Sequence, residues 1–306
     1  MSKWSIDMSL ENVSVVDLNF FGFPGAIASY LIRLSHQAVL IEPGPASTIP
    51  TLQQALAEYH LSPSDIRDVF ITHIHLDHAG AVGWLAEQGA TIHVHPKGAP
   101  HLINPEKLIQ SATRIYGDLM ETLWGEFRAV PEQAINIPQD GESISIDGYH
   151  FHCFDTPGHS DHHFAILFDG ILFSGDIGGI RIGNTTHVEL PTPPPEFNPT
   201  TWRASLKRLQ ELDLRAIAPT HFGIYTDVQE HFNQLRLKLE LLEEWLEKQM
   251  QHTPSLEDIN DALGNWLNQQ GRDTLPAEYQ PYFNYLNPTW MSAAGLYRYW
   301  HKVRQA

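Results

Sequence analysis

Over the first two thirds of the chain, apolar residues gather in short alternating or continuous runs closed by Gly, Asp, Asn or Pro. AIASYLIRL (26–34) and AVLIEPG (38–44) read as two strands with a turn at Ser35-His36-Gln37 between them. Segment 48–60 carries Leu52, Leu56 and Tyr59 at helical spacing. DVFITH (68–73) is a β-branched and aromatic run ending in a polar loop. AGAVGWLAEQG (79–89) reads as the helix after it, and TIHVHP (91–96) as a strand stopped by Pro96. Segment 104–127 is mostly helical in pattern and shows no obvious chemistry. ESISIDGYHFHCFDTPG (142–158), FAILFDGILFSGD (164–176) and RAIAPTHFG (215–223) are strand-rich again. This mixture of βαβ-type and hairpin connections predicts an α/β class.

The period changes near Asp227. Leu235, Leu239, Leu242, Trp245 and Leu246 form a helical stripe, read as core or dimer surface. Ser255, ahead of Glu257 and Asp258, caps a second helix that runs to Gln269. The last segment, 281–302, is rich in aromatics. The expected organisation is a domain over 1–226 that carries the chemistry and a helical extension over 227–306 packed on it. That extension would close a pocket or form a subunit contact, and a homodimer is the expected assembly.

The candidate chemistry lies in Thr72-His73-Ile74-His75-Leu76-Asp77-His78-Ala79-Gly80. Four potential metal ligands occur at the exit of an apolar strand and just before a helix. Alternation sends His73 and His75 to one side, while Asp77 and His78 sit where the chain turns, so one loop can serve two adjacent metals. Asp77 can also cap the helix. Zinc takes about four nitrogen or oxygen ligands, so further donors are needed from elsewhere. His159 in DTPGHS, Asp176 in ILFSGDI and His221 in AIAPTHFG each follow an apolar strand, where loop-borne functional groups belong.

Composition narrows the partners. Against 36 acidic residues stand 19 basic ones, a net charge of −17 with histidine neutral. Such a surface repels phosphate backbones, so a small-molecule substrate is expected and nucleic acid is not. Cys153 is the only cysteine; it lies in an alternating strand, which makes it a packed thiol rather than a nucleophile. The N-terminal 20 residues show no signal-peptide core and no apolar run would span a bilayer, so a cytoplasmic location without membrane contact is expected.

With HIHLDH at 73–78, PGHS at 157–160, SGD at 174–176 and TH at 220–221 in that order, the sequence resembles the metallo-β-lactamase superfamily of hydrolases over roughly residues 12 to 225. LIEPG at 40–44 is similar to the superfamily's early strand and turn, with Glu42 where Asp is more frequent. The resemblance implies an αββα sandwich with two divalent metal ions, zinc first and manganese or iron as alternatives. It implies His73, His75 and His159 on one metal, Asp77, His78 and His221 on the other, and Asp176 bridging them. Two such ions and two aspartates leave enough positive charge to stabilise a bridging hydroxide that attacks a carbonyl or phosphorus. Asp77 would accept a proton, and no cysteine ligand speaks for β-lactams.

Glyoxalase II-like thioesterases and acyl-homoserine lactonases carry a similar ligand order. The region after 227 lacks clustered basic residues for a glutathione carboxylate, which puts lactone or ester ahead of thioester. The alternatives are a small-molecule phosphodiesterase, a mononuclear iron sulfur dioxygenase and a non-catalytic binding module. Tyr225 is a candidate donor to a substrate oxyanion. His162, His163, Arg181 and His187 are weaker candidates to border the pocket, and His93 and His95 read as structural.

Overall fold

The computed structural model describes residues 9–10, 12–183 and 185–304; segment 1–8, part of the stretch read as lacking a signal-peptide core, lies outside the described residues. Seven strands pair in chain order: β1 (Ser9–Leu10), β2 (Val13–Asp17), β3 (Ala28–Arg33), β4 (Ala38–Ile41), β5 (Ile66–Phe70), β6 (Thr91–His93) and β7 (Ile135–Asn136). The pairings are antiparallel up to β3–β4 and parallel from β4–β5 onward. The second sheet contains β8 (Ser143–Ile146), β9 (Tyr149–Asp155), β10 (Phe164–Phe168), β11 (Ile171–Phe173) and β12 (Ala216–Ala218), in the order β12-β11-β10-β9-β8. Only β11–β12 is parallel there.

Parallel neighbours need a crossover, and helices supply it. Helix Ile49–Glu58 joins β4 to β5, and Val82–Glu87 lies between β5 and β6. Helix Pro199–Leu209, between β11 and β12, was not anticipated from the sequence. Its start is locally encoded nonetheless: Pro199 opens the first turn, and the Asn198 side chain accepts from the amides of Thr200 and Thr201. Trp202, Leu206 and Leu209 then form its buried stripe.

Between the sheets, Tyr30, Val39, Ile41 and Phe70 of the first meet Phe151, Cys153, Ile166 and Phe173 of the second. The other face of the first sheet packs Leu40, Val69 and Ile92 on Leu52, Leu56 and Leu85. The other face of the second packs Leu172 and Ile217 on Trp202, Leu206, Leu235 and Leu239. Alternate residues of each strand thus serve two cores, which is the αββα layering. Cys153 is buried in the central layer, where burial pushes its thiol up to about 12.

Helix Val228–Met250 buries the expected stripe, including Trp245, which packs against Trp266 of helix Leu256–Gln269. Ser255 forms a capping box with Asp258. Helices Gln280–Leu286 and Thr289–Tyr299 follow. Among the described residues no helix is long and apolar enough to cross a membrane.

Two boundaries differ from expectation. β5 ends at Phe70 rather than His73, because the Thr72 amide turns from the ladder to the Glu42 carboxylate at 2.6 Å. Asp77 is not the cap of the short helix Leu76–Ala79; His75 occupies that position and Asp77 lies in the first turn.

Candidate metal centre

The site starts from Glu42, the residue directly after β4, at φ +62°. A left-handed conformation costs a non-glycine residue roughly 1 kcal/mol, and here it accompanies a buried carboxylate with four donors. Oε1 accepts from the Thr72 amide, and Oε2 from the hydroxyls of Thr72 (3.1 Å) and Thr220 (2.9 Å) and from His78 Nδ1. Thr72 Oγ1 in turn accepts from His73 Nδ1 at 3.0 Å. One carboxylate therefore orients two histidines, His78 directly and His73 through a threonine.

The other rings are held by backbone carbonyls. His159 Nδ1 donates to Pro191 O and His221 Nδ1 to Ala26 O, each at 3.0 Å. These bonds assign the tautomers of the neutral rings: in all four, Nδ1 carries the proton, which leaves Nε2 the lone pair for a metal ion.

All seven predicted ligands converge. His73 Nε2 lies 2.8 Å from His75 Nδ1, and His159 Nε2 lies 3.0 Å from the same atom. His78 Nε2 and His221 Nε2 stand 3.6 and 3.4 Å from Asp77 Oδ2. Asp176 lies between the two sets. Its Oδ2 is 3.3 Å from His159 and 4.0 Å from His73, while Oδ1 is 3.4 Å from His78 and 3.5 Å from His221. His73, His75, His159 and Asp176 form one group able to hold a metal ion, and Asp77, His78 and His221 form another.

The donor atoms fit such ions on their own evidence. His78 Nε2 and Asp176 Oδ1 are buried without a hydrogen-bond partner, an arrangement that costs several kcal/mol per ionised group unless a cation satisfies it. Two ring nitrogens bearing lone pairs, each about 3 Å from His75 Nδ1, likewise ask for a positive charge between them.

Burial pushes His73, His159 and His75 towards the neutral form that ligation requires, His75 down to about 3. Burial opposes charge on His78 and His221 as well, but the carboxylates around them outweigh it and raise both. Burial would raise Asp77, yet His78 and His221 hold it ionised, down to about 2. Asp176 is likewise held well below the ordinary carboxylate range.

Glycines set two of these positions. A Cβ on Gly158 would stand 2.4 Å from Trp202 Cα, so His159 is seated by a direct approach of its loop to helix Pro199–Leu209. Gly175, at φ +51°, would drive a Cβ to 2.4 Å from Thr72 Oγ1.

Tyr225 is not brought to the centre. Its buried hydroxyl donates to the carbonyls of Arg181 (2.6 Å) and Gly183 (3.1 Å), and its ring lies under the Arg181 guanidinium. Tyr225→Phe is expected to cost about 1 kcal/mol of stability in denaturant titration and to leave kcat within about twofold. A larger kcat loss at full metal content would restore Tyr225 as a substrate contact.

Arg181 is buried and forms a fork with Asp227, and His187 pairs with Glu189 at 3.1 Å. His163 bonds Thr156 Oγ1 at 2.8 Å. His93 is held by Asp68 and Asn136, and His95 by Asp155. His162 does reach the site, lining the cavity between Ser160 Oγ (3.2 Å) and the Glu196 carboxylate (3.4 Å).

That cavity, of about 270 Å³, opens over His75, Asp77, His159 and Asp176. Its walls are Leu108, Ala112, Ile115 and Tyr116 of helix Glu106–Tyr116, Pro191 with Pro193 to Glu196, and Tyr285 to Pro288 with Met291 and Ser292. Among the described residues, Lys107 is the only lysine or arginine on them. The segment read as lacking chemistry thus builds one wall, and no short motif marked it. Glu42 had a signal, a lone acid closing an apolar strand in LIEPG, but its partners lie 30 to 178 residues away.

The model of the metallo-beta-lactamase superfamily matches residues 22–221. A metallo-beta-lactamase fold-containing protein of Sulfurisphaera tokodaii is 27% identical over 225 residues, 72% of this chain and 82% of its own. The probable metallo-hydrolase YqjP of Bacillus subtilis is 24% identical over 292 residues, 89% of this chain and 88% of its own. The crystal structure of a metallo-beta-lactamase family protein from Thermus thermophilus superposes with a TM-score of 0.67 at 21% identity, covering 97% of this chain and 94% of that one; at that identity the likeness is one of fold. The family model spans the glutamate turn, the HIHLDH loop, His159, Asp176 and His221, so this chain belongs to the metallo-beta-lactamase superfamily.

Proposed function

We propose that the protein is a dinuclear, zinc-loaded hydrolase of esters or lactones, with thioesters next, whose substrate carries an apolar chain of medium length. What supports it most is the shared position of Asp176 between two ligand groups at the base of a largely apolar cavity. Bound there, divalent zinc supplies acidification of water and polarisation of the scissile carbonyl.

The chain's own residues do the rest. Glu42, Pro191 O and Ala26 O hold four imidazoles in one tautomer. Asp77, kept ionised by His78 and His221, is the group that accepts a proton. Leu108, Ile115 and Met291 exclude water and seat the chain. A 150 Å³ apolar cavity accepts benzene, so about 270 Å³ takes about ten carbon atoms. Such a wall suits an alkyl or acyl group better than a small phosphodiester.

Elemental analysis should find about two metal equivalents per chain; one equivalent of iron with oxygen uptake would instead support the dioxygenase. Across acyl esters and lactones of two to fourteen carbons, kcat/KM should climb about two- to fourfold per methylene and level off near ten. Ile115→Asp should flatten that slope. A panel in which phosphodiesters turn over and carbonyl substrates do not would reject the reading.

A further inference from the structure

His159 is seated by the Pro191 carbonyl, and Pro191 is held from both sides by the C-terminal segment. Before it, the Leu190 carbonyl accepts from Asn287 Nδ2 at 3.4 Å. After it, Thr192 Oγ1 donates to the Ser292 carbonyl at 3.3 Å. Gly295 packs so closely that a Cβ there would collide with Thr192 O.

One residue further upstream stands Glu189, buried with its carboxylate fully engaged. Arg272 grips it through Nε at 2.8 Å and through Nη2, and Asn287 Nδ2 donates to it at 3.1 Å. Ser292 Oγ donates to Asn287 Oδ1 at 2.6 Å, which fixes the amide's orientation. On its other side the Glu189 backbone pairs with Ile180, four residues after Asp176.

We infer that Arg272, Asn287 and Ser292 are positioning residues of the metal centre, acting through Glu189 and the Pro191 carbonyl on His159. The helices after 227 then do more than wall the cavity, because they set the acceptor that keeps His159 Nε2 aimed at its metal. A buried carboxylate with a planar arginine fork and an amide has one low-energy arrangement, so the clamp transmits position rather than mere cohesion. Partners behind a ligating histidine are worth about 10- to 100-fold in metal affinity; these residues stand one bond further back, at the lower end.

The inference rests on His159 being a ligand, which His159→Ala tests by itself: that variant must lose one zinc equivalent. In the full-length protein, Asn287→Ala should raise the Kd of that same equivalent about tenfold in chelator competition, leave the other within twofold, and alter the visible spectrum of the cobalt-substituted protein. Arg272→Met should do the same and Arg272→Lys should recover part of the loss. Leu246→Ala removes buried packing from helix Val228–Met250 without touching the clamp, and should lower the melting temperature with both Kd values unchanged. Should Asn287→Ala fail to fold, Ser292→Ala removes only the bond to Asn287 and should show a smaller shift of the same equivalent. Unchanged affinities, or equal weakening of both equivalents, would overturn the clamp. None of these readouts uses a substrate, so failure of the hydrolase reading leaves them intact.

Discussion

Asp176→Ala is expected to lower kcat by about 10³-fold or more and to leave fewer than two metal equivalents on the protein. Among the described residues, Asp176 is the one carboxylate within 4.0 Å of histidines from both groups, with Oδ1 turned to His78 and His221 and Oδ2 to His159 and His73. On the proposed function, alanine removes a ligand from each metal group and one of the two negative charges that would balance the cations. Asp176→Asn separates the effects, because the amide keeps one oxygen but offers N–H where a lone pair is needed. It should retain more metal than alanine and still lose most of the rate. Elemental analysis after gel filtration and initial rates on the best carbonyl substrate read both quantities. Wild-type rates at wild-type metal content in either variant would sink the proposed function.

Glu42→Ala should destabilise the fold by about 3–5 kcal/mol, because it strands the Thr72 amide, two threonine hydroxyls and His78 Nδ1 in a buried site. In a protein of this size that is a fall of roughly 10 °C in melting temperature. Metal affinity should fall in both groups, since His73 belongs to one and His78 to the other. Glu42→Gln keeps the shape but has one accepting oxygen for donors that now use two, so it should lie between alanine and wild type. Differential scanning calorimetry with and without chelator separates the packing loss from the metal loss. A variant that loses affinity in one group only would show that Glu42 does not serve both.

The two substitutions also mark where reading along the chain stops. Asp176 is visible in one dimension: an apolar run, then Ser-Gly-Asp at a strand exit. The same holds for HIHLDH, for His159 and His221 in their turns, and for Ser255 ahead of its helix, because each signal is carried by neighbours within a few residues. Helix Pro199–Leu209 was legible by its Asn-Pro start, but the proline-rich stretch before it hid the change of period.

Tyr225 illustrates the opposite failure. Four residues after His221 on an otherwise apolar turn, it has the right type for a substrate donor, yet its hydroxyl direction is set by the carbonyls of Arg181 and Gly183, more than 40 residues away. Nothing local encodes that choice.

Local periodicity and residue spacing were enough to determine the α/β class and the helical end of the chain and to mark seven candidate metal-ligating residues, since strand alternation and turn chemistry depend on adjacent residues. Tertiary structure alone decided that Glu42 governs two histidines, that helix Glu106–Tyr116 walls the cavity and that Arg272 and Asn287 stand behind His159. Those contacts join residues far apart in the chain, and their geometry comes from how two sheets and their covering helices pack, which no short stretch of sequence contains.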